Sequence, residues 1–323
     1  MEDTIAAIST PLGAGGIAIV RLSGPRALAV ADALFCATRG RPSEFATHTV
    51  HHGTIRHDGD LLDEVLLTVM RAPHSYTTED VVEISCHGGH LTARCILARC
   101  LEQGARLAEP GEFTRRAFLN GRIDLTQAEA VMDLIRAKTG RAHLAAANAL
   151  EGHLARRIEE LRDRLISVLA QAEAHIDFPD EDITPDTREK LLAELEAVGE
   201  QIKRLLATAH EGRVLREGIS VAIIGRPNVG KSSLMNALLG QDRCIVTPVP
   251  GTTRDVLEEI ANIRGIPVRL TDTAGIRKAR GHVEAIGVGR ARKTLDSSDL
   301  ILHVLDISRP FSKTGVARVV AVP

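Results

Sequence analysis

Residues Gly225-Arg226-Pro227-Asn228-Val229-Gly230-Lys231-Ser232 fit the spacing G-x-x-x-x-G-K-[ST], the pattern of a loop whose backbone amides cradle phosphate. Amides from Asn228, Val229, Gly230, Lys231, Ser232 and Ser233 can wrap an anion at a helix N-terminus. Lys231 can bridge the β- and γ-phosphates, and the Ser232 hydroxyl can ligate Mg²⁺. Downstream, Asp272-Thr273-Ala274-Gly275 offers a carboxylate for the magnesium shell and a glycine amide for the γ-phosphate. Between the two, Gly251-Thr252-Thr253-Arg254-Asp255 supplies a threonine hydroxyl that can complete the metal's coordination while the γ-phosphate is present. In this order the three segments are the parts of a GTPase-type switch. The residue after Gly275 is Ile276, so the glutamine that orients the attacking water in Ras-like enzymes is missing. Glu284 is the acidic candidate for that task, and a solvated glutamate at a helix start is the plain alternative.

Elements must hold these residues in place. Ile219 to Ile224 reads as a buried strand, Ser233 to Leu239 as a helix, and Val268 to Thr271 and Leu300 to Asp306 as further strands, which gives a βαβ arrangement from residue 217 to 323. Residues 120–216 have the period of long helices. Leu150, Leu154, Ile158, Leu161, Leu165 and Leu169 form one apolar stripe, and Leu191, Leu195, Val198, Ile202 and Leu205 repeat it after a Pro- and Asp-rich break at 178–182. Packing between helices is the expected use of these stripes. Another helix is expected to start near Thr126-Gln127-Ala128-Glu129, a candidate capping box. Residues 1–119 mix strands at Ile17–Val20, Val65–Met70 and Val81–Ile84 with helices at Ala27–Leu34 and Leu91–Leu101. The expected fold class is α+β multidomain: an N-terminal α/β domain, a long-helix domain, and a partial P-loop NTPase α/β sheet.

Composition narrows the options. The 323 residues carry 40 Lys plus Arg against 42 Asp plus Glu, so no global positive field supplies nucleic-acid or membrane affinity. With six Phe, one Tyr and no Trp, stacking platforms for single strands are nearly excluded. The five cysteines form no C-x-x-C pair, which favours reduced thiols in a cytoplasmic setting. The apolar runs are short, and the first ten residues hold early acids without an apolar signal core. The chain is therefore expected to be neither secreted nor membrane-spanning. Cys86-His87-Gly88-Gly89-His90 fits no common zinc spacing and reads as a structural turn. His48, His51, His52 and His57 read as surface residues. Arg115, Arg116 and Arg122 suit a nucleic-acid phosphate, ordinary salt bridges or a ligand carboxylate equally well.

Three stretches carry a family resemblance. They are Asp3-Thr4-Ile5-Ala6-Ala7 with Gly15 to Gly24, then Pro110-Gly111-Glu112-Phe113-Thr114-Arg115-Arg116-Ala117-Phe118-Leu119-Asn120-Gly121, then the phosphate-loop module. Together they resemble the tRNA uridine-modifying GTPases of the MnmE (TrmE) family. The resemblance implies a folate-binding and dimerising domain at 1–119, a helical domain at 120–216 and a TrmE-type G domain at 217–323 inserted into it. It also implies GTP and GDP as nucleotides, formyl-tetrahydrofolate as ligand, and a flavoprotein partner, MnmG (GidA), with tRNA. Arg21, Glu83 and Arg122 fall at the family's folate-contacting positions. Asn228, Thr247, Val249 and Thr252 fall at its K⁺ site, within a nucleotide-contacting run that includes Pro248, Pro250, Gly251 and Thr253. The K⁺ would occupy the place of an arginine finger. The resemblance also selects Glu284 as the water-orienting group, alongside Lys231, Thr253 and Asp272. No guanine-reading N-K-x-D element occurs in the sequence, and residues 311–323 depart from the family pattern. The expectation is a C-terminally shortened or frameshifted product with an exposed strand edge.

Overall fold

The computed structural model describes residues 3–11, 13–177, 188–225, 229–241, 258–272 and 296–306. It divides into two compact units, Met1–Ala128 and Glu129–Pro323. Among the described residues no helix is long and apolar enough to cross a membrane.

The first unit is built on a seven-stranded sheet. Its strands are β1 (Ile5–Ile8), β2 (Ile17–Ser23), β3 (Phe35–Ala37), β4 (Thr49–His57), β5 (Asp60–Met70), β6 (Val81–His87) and β7 (Arg106–Leu107), in the order β3-β4-β5-β6-β2-β1-β7. Neighbours are antiparallel except β1 and β7, which run parallel. Alternation along each strand separates the two faces. One face carries Val20, Leu22, Val65, Leu67, Val69, Val82 and Ile84, buried with α1 (Ala27–Leu34) and α2 (His90–Glu102) in one core. The other face carries Ile19, Arg21, Leu66, Thr68, Glu83 and Ser85, all partly or fully exposed. The strands and helices expected here form as read. β4, with its run of histidines, is an addition that apolar patterning does not reveal.

The Cys-His-Gly-Gly-His segment is structural. Cys86 is buried and its thiol donates to the Ala18 carbonyl at 3.4 Å. Gly88 exchanges backbone hydrogen bonds with Gly15 and Gly16, and a Cβ there would lie 2.2 Å from the Gly15 carbonyl oxygen. Among the described residues no group of three or more His, Cys, Asp or Glu is arranged to hold a metal. Of the histidines, His51 stacks on Phe45 and His52 bonds Glu64 at 2.7 Å.

The sheet is closed by a buried cation. Arg116, on α3 (Glu112–Leu119), has no exposure at all. Its guanidinium bonds the Asp3 carboxylate at 2.8 Å, the Asp3 carbonyl at 2.9 Å and Glu79 at 3.0 Å, with Glu112 at 3.7 Å. Arg106 adds bonds to Asp3 at 2.7 Å and to Glu112 at 2.6 Å. Of the alternatives open for Arg116, salt bridging is the one realised; Arg115 is exposed, 3.6 Å from Glu109.

The second unit joins helices to a smaller sheet. α4 (Leu125–Arg136), α5 (Gly140–Leu150), α6 (His153–Asp177) and α7 (Arg188–Glu217) precede β8 (Ile219–Gly225), α8 (Lys231–Gln241), β9 (Glu258–Ile263), β10 (Ile266–Asp272) and β11 (Leu300–Val304). The cap of α4 is Asp124 rather than Thr126. Its carboxylate accepts from Gln127 N at 3.0 Å, and Gln127 Oε1 accepts from Asp124 N at 3.0 Å. Leu150 ends α5, because the chain turns at Gly152 with φ +75° before α6 begins, so the expected single stripe is split. Interhelical packing is only partly realised. Leu161 and Val198 are buried, but Leu154, Ile158, Leu165, Leu169, Leu195 and Ile202 stay exposed.

The sheet order is β11-β8-β10-β9, with β8 parallel to both neighbours and β9–β10 an antiparallel hairpin. The hairpin turn places Arg264 and Gly265 at φ +54° and +86°, the two positive-φ positions that suit a right-twisted ribbon. Thr139 caps α5 through Ala142 N at 3.2 Å and donates to the Gly265 carbonyl at 2.7 Å.

Removing Arg116 leaves carboxylates stranded around an apolar gap, so Arg116→Met is expected to cost about 3–5 kcal/mol in urea unfolding; a loss under about 1 kcal/mol would show the network idle. The network also sets an acid limit. Arg106 holds the Asp3 carboxyl below its ordinary value of 3.8, with Arg116 adding to it, and holds Glu112 below its ordinary 4.5 against opposing burial. Carboxyls depressed in the folded state contribute stability above their unfolded values and lose it as pH falls toward the folded ones. Unfolding free energy is therefore expected to drop as pH falls below 4.5, with a shallower drop in Arg116→Met.

Candidate functional sites

The phosphate-loop residues stand at a strand–helix junction, as their spacing requires. β8 ends at Gly225 with φ +152°, where a Cβ would lie 2.4 Å from the Val304 carbonyl oxygen of β11. Only glycine lets the chain leave the sheet there without displacing its neighbour. Gly230 has φ +95° and its carbonyl accepts from Leu234 N at 2.9 Å, which opens α8. Lys231 is the first residue of α8 and is buried, whereas Ser232 and Ser233 are exposed on that first turn. The N-terminal, positive end of α8 thus follows directly on Gly230, the placement in sequence that suits a phosphate. β10 pairs Asp272 with Ile223 of β8, so the strand delivers the backbone of Asp272 two residues short of Gly225. Asn228, the run Thr247–Thr253, Thr273, Ala274, Gly275 and Glu284 lie outside the described residues.

A second constellation occupies the open face of the larger sheet. Arg21 on β2 and Glu83 on β6 are cross-strand partners, and Arg21 Nε donates to Glu83 Oε1 at 2.7 Å. Thr68 of β5 stands on the other side of Glu83. The Arg21 guanidinium carbon lies 5.5 Å from the Phe113 ring centroid and 5.8 Å from that of Tyr76. Arg122 reaches the same tyrosine, its guanidinium carbon 5.0 Å from the ring and Nη1 donating to the Tyr76 carbonyl at 3.2 Å. Of the three residues expected to act together, Arg21 and Arg122 thus share one aromatic ring, and Glu83 joins them through Arg21.

Tyr76, Phe113 and Thr114 were not singled out by sequence reasoning as site residues. A signal existed: Tyr76 is the sole tyrosine of the chain, and a chain poor in aromatics has spent two of them at one arginine. Thiol chemistry finds no support nearby, since burial pushes the Cys100 thiol up to about 12 and raises Cys86 as well.

Comparison with known proteins covers both units. Residues 4–122 match the family model described as GTP-binding protein TrmE N-terminus, and residues 125–313 match the MnmE helical domain. The tRNA modification GTPase MnmE of Bacillus velezensis is 54% identical over 318 residues, 97% of this chain and 69% of the relative. Its counterpart from Listeria welshimeri is 55% identical over 305 residues, 94% of this chain and 66% of the relative. That of Bacillus subtilis is 53% identical over 318 residues, again 97% and 69%. The chain therefore spans about two thirds of the length of these curated relatives. Among solved structures, the G domain of the T. maritima FeoB iron transporter is 32% identical over 28% of this chain and 57% of its own, with a TM-score of 0.21.

Gly225→Ala combines a positive φ with a clash against β11, and is expected to cost about 1–3 kcal/mol. Hydrogen exchange should read it locally: amides of β11 and β8 exchange faster while those of β5 and β6 are unchanged. Unaltered exchange in β11 would show that the loop accommodates a side chain.

Proposed function

The chain belongs to the MnmE family of tRNA modification GTPases, and on that premise we propose that it binds and hydrolyses GTP in the service of tRNA wobble-uridine modification. The observation that carries this reading is the complete phosphate-loop sequence at the β8–α8 junction, with the end of β10 alongside. Lys231 spans the β- and γ-phosphates, and the amides at the start of α8 hold their oxygens. Exposed Ser232 suits a Mg²⁺ ligand, which Thr253 completes and Asp272 supports; Asn228, Thr247, Val249 and Thr252 would hold K⁺. Held by these residues, the two cations would supply positive charge beside the transferring phosphoryl group. Glu284 orients the attacking water. GTP hydrolysis then changes contacts between two copies of the chain, and the uridine chemistry needs the flavoprotein MnmG (GidA), with which the chain acts to add a carboxymethylaminomethyl or aminomethyl group in the cytoplasm.

Three domains divide this work: 1–119, 120–216 and 217–323. The first would bind formyl-tetrahydrofolate and dimerise. Its donor set fits a pterin, because Glu83 can accept from an amino-pyrimidinone edge while Arg21 donates beside it and Phe113 offers an apolar wall.

A second reading is a folate-binding, dimerising protein without productive hydrolysis. The Arg21–Glu83 pair beside Phe113, with hydrogen-bonding groups on an open sheet face, is the observation that favours it.

GTP hydrolysis by the full chain in K⁺ and in Na⁺ buffer, with ATP as competitor and Asp272→Asn as control, separates the two. Hydrolysis selective for K⁺ and GTP, reduced about 100-fold or more in the control, is expected. A folded, soluble sample that binds 5-formyltetrahydrofolate but hydrolyses nothing would overturn the enzyme reading and leave the second.

A further inference from the structure

The Arg21–Glu83 pair and Arg122 differ in charge state, and that difference assigns the two ends of a ligand. Arg21 is neutralised by Glu83 at 2.7 Å. Among the described residues, Arg122 has no recorded ion pair; its contacts are the Tyr76 ring and the Tyr76 carbonyl. A guanidinium held against a ring face and by a carbonyl is oriented yet keeps its charge uncompensated. Exposed arginines with full rotamer freedom bind carboxylates weakly, because ordering the side chain opposes the contact. Here the ordering has already been done.

Tyr76 can do this because its own position is over-determined. Its hydroxyl is 3.0 Å from Thr114 Oγ1 on α3. The segment carrying it is tied down at several points: Asn120 Nδ2 donates to the Thr77 carbonyl at 2.6 Å, Ser23 Oγ lies 2.6 Å from Thr77 Oγ1, and Arg116 holds Glu79 at 3.0 Å. Thr78 sits at φ +60°, a strained conformation for a β-branched residue that persists only where its surroundings enforce it.

We infer that Tyr76 is the positioning residue of this site, aiming the uncompensated charge of Arg122 at the carboxylate tail of a folate while the neutral Arg21–Glu83 pair meets the uncharged ring. The inference rests on the folate reading above and goes further, since it gives each arginine a different portion of the ligand and gives an unassigned tyrosine control over one of them.

Isothermal titration of the full chain with two probes tests it. One is 5-formyltetrahydrofolate; the other is 5-formyl-6-methyltetrahydropterin, which keeps the formylated ring and lacks the p-aminobenzoyl-glutamate tail. Tyr76→Leu is expected to weaken the tailed ligand about tenfold and the tail-less one by less than about twofold. Arg122→Ala should do the same, and the double variant should be no worse than either single one, the mark of two residues acting through one contact. Tyr76→Phe, which keeps the ring, should stay within about twofold of the native chain. Equal losses for both ligands, or additive losses in the double variant, would overturn the inference while leaving folate binding intact. If Tyr76→Leu does not fold, Arg122→Ala decides: retained preference for the tailed ligand overturns the assignment. A folded native chain that binds neither probe overturns the folate reading and this inference with it.

Discussion

A guanidinium with no exposure has to find its counter-charges inside the protein, because an unpaired buried charge costs several kcal/mol. Arg116 is that group, and its partners come from three places: Asp3 at the start of the chain, Glu79 in the segment between β5 and β6, and Glu112 at the beginning of its own helix. Much of the first unit's layout follows from satisfying it. β1 must lie where Asp3 can reach α3, and β7 must run beside β1 so that Arg106 can share the same carboxylates. The segment carrying Tyr76 is pinned through Glu79, which also accepts from Ser23 on β2. The candidate ligand site inherits its rigidity from a salt-bridge network that itself faces no ligand.

The two arginine clusters therefore do different jobs. The Arg21–Glu83 pair is about a quarter exposed on each side, and pairs in that setting contribute little to stability. Its donors and acceptors remain available on an open sheet face. The Arg116 cluster is sealed and structural. A similar division holds in the smaller sheet, where Gly225 meets a purely steric demand of β11 while Lys231 and Ser232, six and seven positions on, begin α8 with one side chain buried and the other exposed.

Most elements of the fold were legible in the sequence because apolar periodicity is a strong local signal. α1 coincides with its expected bounds, and β2, β6, β8 and β10 contain theirs. The failures were local as well. Thr126 looked like a cap because it begins a T-x-x-E string, but Asp124 two residues earlier accepts the bonds. Leu150 kept perfect spacing with α6 across a glycine that ends a helix. The stripes of α6 and α7 signalled burial correctly in kind, but a stripe does not state how much of it its neighbours cover. At the site, Arg21, Glu83 and Arg122 were legible only through family resemblance, since residues 62 positions apart become neighbours through strand pairing alone. Tyr76 gave only the compositional signal of a sole tyrosine, since nothing in its local sequence says that two arginines converge on it.

The pairing of Asp3 with Arg116 also has a meaning in time. Those partners are 113 residues apart, and the parallel β1–β7 pairing spans nearly as far. At synthesis rates of about 5–20 residues per second, roughly 6–23 s separate the emergence of Asp3 from that of the cation it must meet. Throughout that interval the opening strand has no parallel neighbour and its carboxylate no buried partner. Strand β1 is thus left open until α3 has been made, and the sheet, its pinned loop and the tyrosine within it are completed by one late-arriving cation.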